Sequence, residues 1–312
     1  MEPRELFSLA YDLVMFWVQG FVYFLEALLL TFIPRSYRSK GFRDEVALVT
    51  GAAQGLGRLI AIKLAKRGCS LVLWDVNKDG VDETAKMIRE DGGKCWAYQC
   101  DVTDKEEVYK TAKAVKLEVG NVTILINNAG YVYGKTLLDI PDDEIERTFK
   151  VNIISHYWTT KSFLKEMMRE NHGHIVTIAS VAGQLGTYNC TDYSATKFAA
   201  VGYHESLLTE LKTHGYDGIH ATLVCPYFIN TGMFSGVKPR LKTMLDPEYV
   251  ASEVVGAIAT NEVFLILPRV FRFLLPLKFL LPAKMCWALM YQIIQGPQTM
   301  MMLKNRNAET IK

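Results

Sequence analysis

The sequence predicts an α/β fold built on a doubly wound parallel sheet, and three observations predict it. Between Glu45 and Leu267, short β-branched runs alternate with amphipathic stretches of helical length. The runs are apolar throughout rather than at every second position, as expected of strands covered on both faces. A glycine-spaced turn, TGAAQGLG at residues 50–57, joins the first run directly to the first helical stretch.

Taken in order, strands are expected at residues 46–50, 71–74, 95–99, 124–127, 174–179, 220–225 and 264–267. Helices of ordinary length fill the gaps, among them 56–67, 106–118, 142–169 and 193–213. No internal repeat or low-complexity linker interrupts the alternation. Such a Rossmann-like arrangement places its ligands beyond the carboxyl ends of the strands.

A chain of 312 residues can bury one large α/β core with segments appended to its ends. The expected division is an anchor and basic flank at 1–43, a globular domain at 44–268, and an apolar, basic-studded segment with a polar tail at 269–312. Half the residues are hydrophobic and 22% are charged, so the middle of the chain reads as a soluble globule. A net charge of +2 is too small for a nucleic-acid partner. The six cysteines, Cys69, Cys95, Cys100, Cys190, Cys225 and Cys286, form no CxxC pair, which argues against a zinc site or disulfide framework and for a reducing compartment. His172 and His174 lack a third ligand in motif spacing, so no metal is expected.

The apolar excess lies at the two ends. Residues 13–33 form a stretch of helix-spanning length, interrupted mainly by Gln19 and Glu26 and stopped by Pro34. No small-residue cleavage site follows it, and Glu2, Glu5 and Asp12 outweigh Arg4 ahead of it, which argues for retention over cleavage. Arg35, Arg38, Lys40 and Arg43 follow at once, so a spanning segment would leave the domain facing the cytosol, where the sequons at Asn121 and Asn189 are silent. An ionised Glu26 deep in the bilayer costs roughly 3 kcal/mol, which keeps a monotopic or hairpin embedding open. At the other end, Pro268, Pro276 and Pro282 divide residues 263–296, and Arg269, Arg272, Lys278 and Lys284 punctuate them. Short helices are expected there, resting an apolar face on lipid or on the core while the basic groups reach headgroups.

Gly51, Gly55 and Gly57, with Leu56, sit where a backbone can approach a pyrophosphate at a helix N-terminus. Asp75, at the end of the second strand, suits both hydroxyls of an adenosine ribose and repels a 2′-phosphate, which favours NAD over NADP. Arg58 and Lys78 could partly offset that repulsion. Asp101 and Val102 are placed to meet an adenine ring, or else to cap the next helix.

Tyrosine four residues before lysine puts both side chains on one helix face, where the ammonium can lower the phenol pKa for proton transfer. The spacing occurs three times, at Tyr109/Lys113, Tyr157/Lys161 and Tyr193/Lys197. Only the third has a serine suitably ahead of it: Ser180 lies just past a strand end, 13 residues before Tyr193, and no serine occurs between Ser70 and Ser155.

The ordered set TGAAQGLG, NNAG at residues 127–130, Asn152, Ser180 and YSATK at 193–197 resembles the short-chain dehydrogenase/reductase family across roughly residues 45–267. The resemblance implies that Ser180 holds a substrate oxygen, Tyr193 is the acid/base, Lys197 binds the nicotinamide ribose and tunes Tyr193, and Asn152 supports a water-mediated proton relay. It also implies that Asn128 lies near the cofactor and Thr231 contacts the nicotinamide carboxamide, although Pro226-Tyr227 stands where the family often has Pro-Gly. Domain 44–268 would then be the NAD-binding catalytic domain. The hydrophobic N-terminus, LLLTFIP with its basic flank, and LVLWDVN are similar to the membrane-anchored retinol and 17β-hydroxysteroid dehydrogenase subgroup. That implies lipophilic alcohols as substrates and the endoplasmic reticulum or lipid droplets as the location, and a homodimer is compatible with it. An NADP-dependent reductase of lipid ketones or aldehydes, and a weakly active lipid-droplet surface protein, are the alternatives.

Overall fold

Seven parallel strands form a single sheet in the computed structural model of the chain, which describes residues 2–240 and 243–303. They are β1 Val46–Thr50, β2 Ser70–Asp75, β3 Cys95–Gln99, β4 Ile124–Asn127, β5 Gly173–Ile178, β6 Ile219–Pro226 and β7 Phe264–Leu267. Their order, β3-β2-β1-β4-β5-β6-β7, reverses direction at β1, so a crevice opens between the carboxyl ends of β1 and β4. Thr50 pairs with Trp74 and Val49 with Ile126, which aligns those ends. The expected strands are all present: β1, β3, β4 and β7 keep their expected limits, and β2, β5 and β6 move by one residue at each end, which leaves Ala179 outside β5.

The chain divides into two units, Met1–Lys40 and Gly41–Lys312. In the first, α1 Pro3–Phe32 is thirty residues long, about 45 Å at 1.5 Å per residue. It begins ten residues before the expected apolar stretch. Pro3 sets the first turn, and the Glu5 carboxylate accepts from the Glu2 amide at 3.0 Å. None of its residues is buried, and it is apolar and long enough to cross a membrane.

In the second unit, α2 Gly55–Ala65, α3 Lys78–Glu90, α4 Lys105–Glu118, α5 Asp142–Phe149, α6 Ser155–Glu170, α7 Thr191–Thr213 and α8 Pro247–Ala259 cover the sheet. Asn77 and Asp246 cap α3 and α8. Asp104 caps α4, accepting from Glu106 and Glu107; Asp101 instead bonds the Thr103 amide, so Asp101 is not the cap. Residues 142–169 are not one helix as expected. A π-helical turn, Lys150–Ile154, separates α5 from α6, and the inserted residue rotates α6 relative to α5.

Alternate strand residues serve opposite faces. Leu71 and Leu73 pack with Ile60 and Leu64 of α2 and Val254 of α8, whereas Val72 and Trp74 pack with Val108 of α4 and Phe163 of α6. Each such side chain, wholly removed from water, contributes about 1.5–3 kcal/mol. A third cluster forms beyond the strand ends, where Tyr193, Val132, Cys190 and Met300 are buried together.

After β7 the chain runs through short helical turns, Phe271–Leu274, Leu277–Leu280, Ala283–Ala288, Leu289–Ile294 and Gly296–Met300. Two of its four basic residues are held by protein partners rather than left to headgroups as expected. Arg269 forks onto Glu262 and Glu253, and Lys278 donates to the Gln184 carbonyl between the rings of Phe198 and Phe279. Arg272 and Lys284 are exposed. The expected polar tail lies outside the described residues.

Candidate active site

At the crevice, β1 delivers Thr50 into a turn whose glycines are demanded by space. Gly51 has φ +66°, and a Cβ there would meet the Ala129 backbone at 2.9 Å; a Cβ on Gly57 would stand 2.2 Å from the Gly51 carbonyl oxygen. Asn128, just past β4, donates from Nδ2 to the carbonyls of Thr50 (2.9 Å) and Gly51 (3.2 Å) and so holds the turn from the neighbouring strand. Gln54 precedes α2 without a side-chain cap, so the first N–H groups of an 11-residue helix stay available to an anion. Thr231 approaches from the loop after β6, its Cβ 3.4 Å from where a Gly55 Cβ would lie.

Asp75 ends β2 with its carboxylate oriented by the amides of Ala53 and Asn77, both at 2.9 Å. The two cations expected to offset it are engaged with acids. Arg58 pairs with Glu83 at 2.6 Å and bonds Thr84 and two carbonyls, while Lys78 pairs with Asp82. Asp101 and Val102 flank Asp75 on the wall of one large cavity. That cavity, about 1340 Å³, continues past Gly51, Leu56 and Asn128 to Ser180, Tyr193 and Lys197, then to Phe234, Leu277 and Met300. Ordinary small-ligand pockets span ~300–1,000 Å³, so a dinucleotide and a second molecule can share this one.

Ser180, Tyr193 and Lys197 come together at the carboxyl ends of β5 and β6. Extended backbone at Ser180 turns its Oγ to accept from the Ala182 amide at 3.1 Å, so this serine caps a short turn as well as facing the cavity. Tyr193, in the first turn of α7, lines the same cavity as Ser180, whose Oγ also donates to the Pro226 carbonyl at 3.4 Å. Burial raises the phenol above its usual range, and the nearby Ser180 hydroxyl works in the opposite direction. This differs from the expected lowering by the ammonium, because Lys197 Nζ donates to the Ile178 carbonyl at 2.9 Å and stands 5.5 Å from the tyrosine ring centroid. Burial brings the Lys197 ammonium itself down to about 8.

Asn152 lies in the π turn with its side chain fully used. Oδ1 accepts from the Tyr131 amide (2.7 Å), and Nδ2 donates to the Tyr131 carbonyl (2.8 Å) and to Thr196 Oγ1 (3.0 Å). It therefore ties the loop after β4 to the α7 turn that carries Lys197. Neither rival tyrosine–lysine pair lines the cavity; Tyr157 is half exposed and packs its ring on Tyr203. Met300 and Lys278 are among the wall residues that escape sequence reasoning. Both arrive from the end of the chain, and no local pattern marks such a long-range placement.

The short chain dehydrogenase family profile matches residues 45–242. The chain belongs to the short-chain dehydrogenase family. This dehydrogenase is 50% identical over 251 residues to short-chain dehydrogenase/reductase family 16C member 6 of Bos taurus, covering 79% of each chain. It is 46% identical to epidermal retinol dehydrogenase 2 of Mus musculus, over 88% of this chain and 89% of the relative. With human 17-beta-hydroxysteroid dehydrogenase 13 the identity is 44%, over 84% and 86%. Among solved structures, a Burkholderia phymatum short chain dehydrogenase/reductase in complex with NAD superposes with a TM-score of 0.69 at 28% identity, over 75% of this chain and 92% of that one. A metagenomic short-chain oxidoreductase in complex with NADP gives 0.62 at 27%, over 73% and 96%. The dehydrogenase is accordingly an oxidoreductase of alcohols that works with a nicotinamide cofactor.

Proposed function

We propose that this dehydrogenase interconverts lipophilic alcohols and carbonyls, of the retinol or 17β-hydroxysteroid class, at a membrane surface and with NAD as the favoured cofactor. The observation that carries the proposal is the cavity itself. It joins the Ser180/Tyr193/Lys197 set to a wall built from the C-terminal segment, and residues 263–303 contain four basic residues and no acidic one. Phe273, Phe279 and Leu280 stand exposed on that segment, a surface suited to lipid and to the entrance of an apolar substrate. The names of the relatives, a retinol dehydrogenase and a hydroxysteroid dehydrogenase, support the same substrate class.

In this reading Gly51, Gly55, Leu56 and Gly57 cradle the pyrophosphate, Asp75 takes the adenosine ribose, and Asp101 and Val102 bound the adenine. Asn128 keeps the turn in shape, and Thr231 closes the cradle over Gly55. Bound NAD supplies the hydride acceptor and a positive nicotinamide charge. Ser180 Oγ and the Tyr193 hydroxyl, which line the same cavity, hold the substrate oxygen between them. Tyr193 acts as the phenolate, which the Lys197 ammonium favours; it takes the alcohol proton and becomes the neutral phenol as the hydride leaves the same carbon. Asn152 holds the Tyr131 loop and Thr196, and thereby the register of α7.

NAD is favoured because Asp75 faces the cavity while Arg58 is turned onto Glu83. One observation favours NADP: Lys78 also lines the cavity. The apolar α1 and its basic flank fit retention at the endoplasmic reticulum or a lipid droplet with the catalytic domain on the cytosolic side. Incubating lipid extracts with enzyme and NAD and following them by mass spectrometry tests the proposal. A lipid alcohol should be replaced by a carbonyl two hydrogens lighter, and a Tyr193→Phe control should leave it untouched. Absence of any such pair across retinoid and steroid panels sinks the reading.

A further inference from the structure

The segment after β7 is apolar from Leu274 to Leu281 except at one position, Lys278. Its side chain is half-buried, and burial lowers the ammonium below its usual range. A leucine or methionine would cover the same surface without taking a charge out of water, so the reason for a cation lies in what it touches. Among the described residues no carboxylate pairs with it. Nζ donates instead to the Gln184 carbonyl, 5.2 Å from the centroid of the Phe198 ring and 4.6 Å from that of Phe279.

Two of those contacts belong to the elements that carry the catalytic set. Gln184 ends the turn Val181–Gly183, which begins at Ser180: the Gly183 amide donates to the Ser180 carbonyl and the Gln184 amide to the Val181 carbonyl, both at 2.9 Å. Phe198 follows Lys197 on α7. Turn and helix meet backbone to backbone, for a Cβ on Gly183 would stand 2.5 Å from the Lys197 carbonyl oxygen. Gly183 thus brings no side chain to lock the seam, and Lys278 touches both sides of it.

We propose that Lys278 is a positioning residue for the dehydrogenase reaction: it clamps the Ser180 turn to α7 and so fixes Ser180 relative to Tyr193. This rests on the roles assigned above to Ser180 and Tyr193. The hydrogen bond from a charged donor carries the clamp, and the Phe198 ring adds to it from α7. The Phe279 ring, 80% exposed, contributes least, because a cation–π contact is weakest in water. The alcohol oxygen has to meet Ser180 Oγ and the Tyr193 oxygen at once, and misplacement by about 1 Å can cost about 10²-fold in rate. Lys278 also lines the cavity, but a residue that served as a substrate contact would act on KM rather than on kcat.

Lys278→Met keeps the length of the stem and removes the donor. In the full-length enzyme with NAD, kcat for all-trans-retinol and for benzyl alcohol should both fall about tenfold, while KM and NADH affinity, followed by fluorescence, stay within about twofold of the wild type. Lys278→Arg restores a charged donor and should recover most of the loss. A rise in KM with kcat kept, or an equal loss in Lys278→Arg and Lys278→Met, overturns the proposal. A second measurement needs no turnover. The amides of residues 182–185 all bond within the turn, and their hydrogen exchange should quicken about tenfold in Lys278→Met while exchange within β5 stays as it was. Unchanged exchange in the turn overturns the proposal even if retinol is oxidised. Quickened exchange with the tenfold loss on benzyl alcohol, and retinol untouched by either enzyme, supports the clamp and counts against the lipid substrate reading alone.

Discussion

The Lys197 ammonium donates to the Ile178 carbonyl at 2.9 Å while lying 5.5 Å from the centroid of the Tyr193 ring. One strand-end carbonyl therefore holds the cation within reach of the phenol from beneath. Tyr193→Phe removes the titrating hydroxyl and keeps the ring among Val132, Cys190 and Met300, so the fold and NAD binding should survive while turnover falls by about 10²–10⁴. Tyr157→Phe and Tyr109→Phe should keep nearly all activity. Steady-state kinetics with an NADH titration on each variant separates them, and an equal defect in Tyr157→Phe would break the assignment.

Cofactor choice should hinge on a pair of carboxylates rather than one. Asp75→Ala deletes the group that repels a 2′-phosphate, and the preference for NAD should narrow by about tenfold, roughly 1.4 kcal/mol. Arg58 will still be engaged with Glu83 at 2.6 Å. Adding Glu83→Gln loosens that hold and should tip the double variant toward NADP. Direct titration of both cofactors checks this; tighter NADP binding by the wild type would remove Asp75 from its role.

The strands, the glycine turn and the Ser180/Tyr193/Lys197 set are legible in the sequence because each is a local pattern read against a fixed period. Strand limits slip because Ser70, Asp75 and Pro226 are paired by their neighbours rather than selected by their own apolarity. The π turn is hidden: residues 142–169 carry an unbroken helical pattern, and the extra residue is paid for by tertiary bonds of Asn152 to Tyr131 and Thr196. Lys278 reads as a headgroup ligand because its partner, the Gln184 carbonyl, lies 94 residues away in the chain. Spacing conveys the nearby charge of Lys197 but not the depth of burial, which pushes the Tyr193 phenol up.

Two buried histidines, His156 and His204, should make the fold acid-sensitive above the usual carboxylate range. Their pKa values fall from 6.5 in the unfolded chain to about 3 for His156 and about 4 for His204. The unfolded state then binds more protons between these limits, so the stability present above pH 6.5 is lost progressively as pH falls toward 3. Thermal melts of the NAD-free enzyme from pH 8 to pH 4 should show Tm falling from about pH 6.5 downward, and the slope should be shallower in His204→Leu. Parallel curves for the two proteins would show that His204 does not titrate in this way.

Attachment and substrate access should fail separately. Deleting residues 1–33 removes α1, none of whose side chains is buried, so the remaining unit should stay folded, bind NAD and move to the soluble fraction. Access depends on other residues, and burial says which. Phe271 is half-buried, meets the Tyr227 ring edge-on with centroids 5.4 Å apart and packs against the core, so changing it would disturb the fold as well as the surface. Phe273, Phe279 and Leu280 are 76%, 80% and 77% exposed and can be made polar at little cost to packing. Replacing those three with serine should leave NAD affinity and membrane flotation in place. The KM for all-trans-retinol presented in detergent micelles should rise about tenfold, because the lost apolar area weakens contact with the phase that delivers the substrate. A short, water-soluble alcohol should be turned over as before. Unchanged micellar kinetics in a folded triple variant would remove this segment from the entrance, whereas equal losses on both alcohols would mean that the segment shapes the site rather than the approach to it.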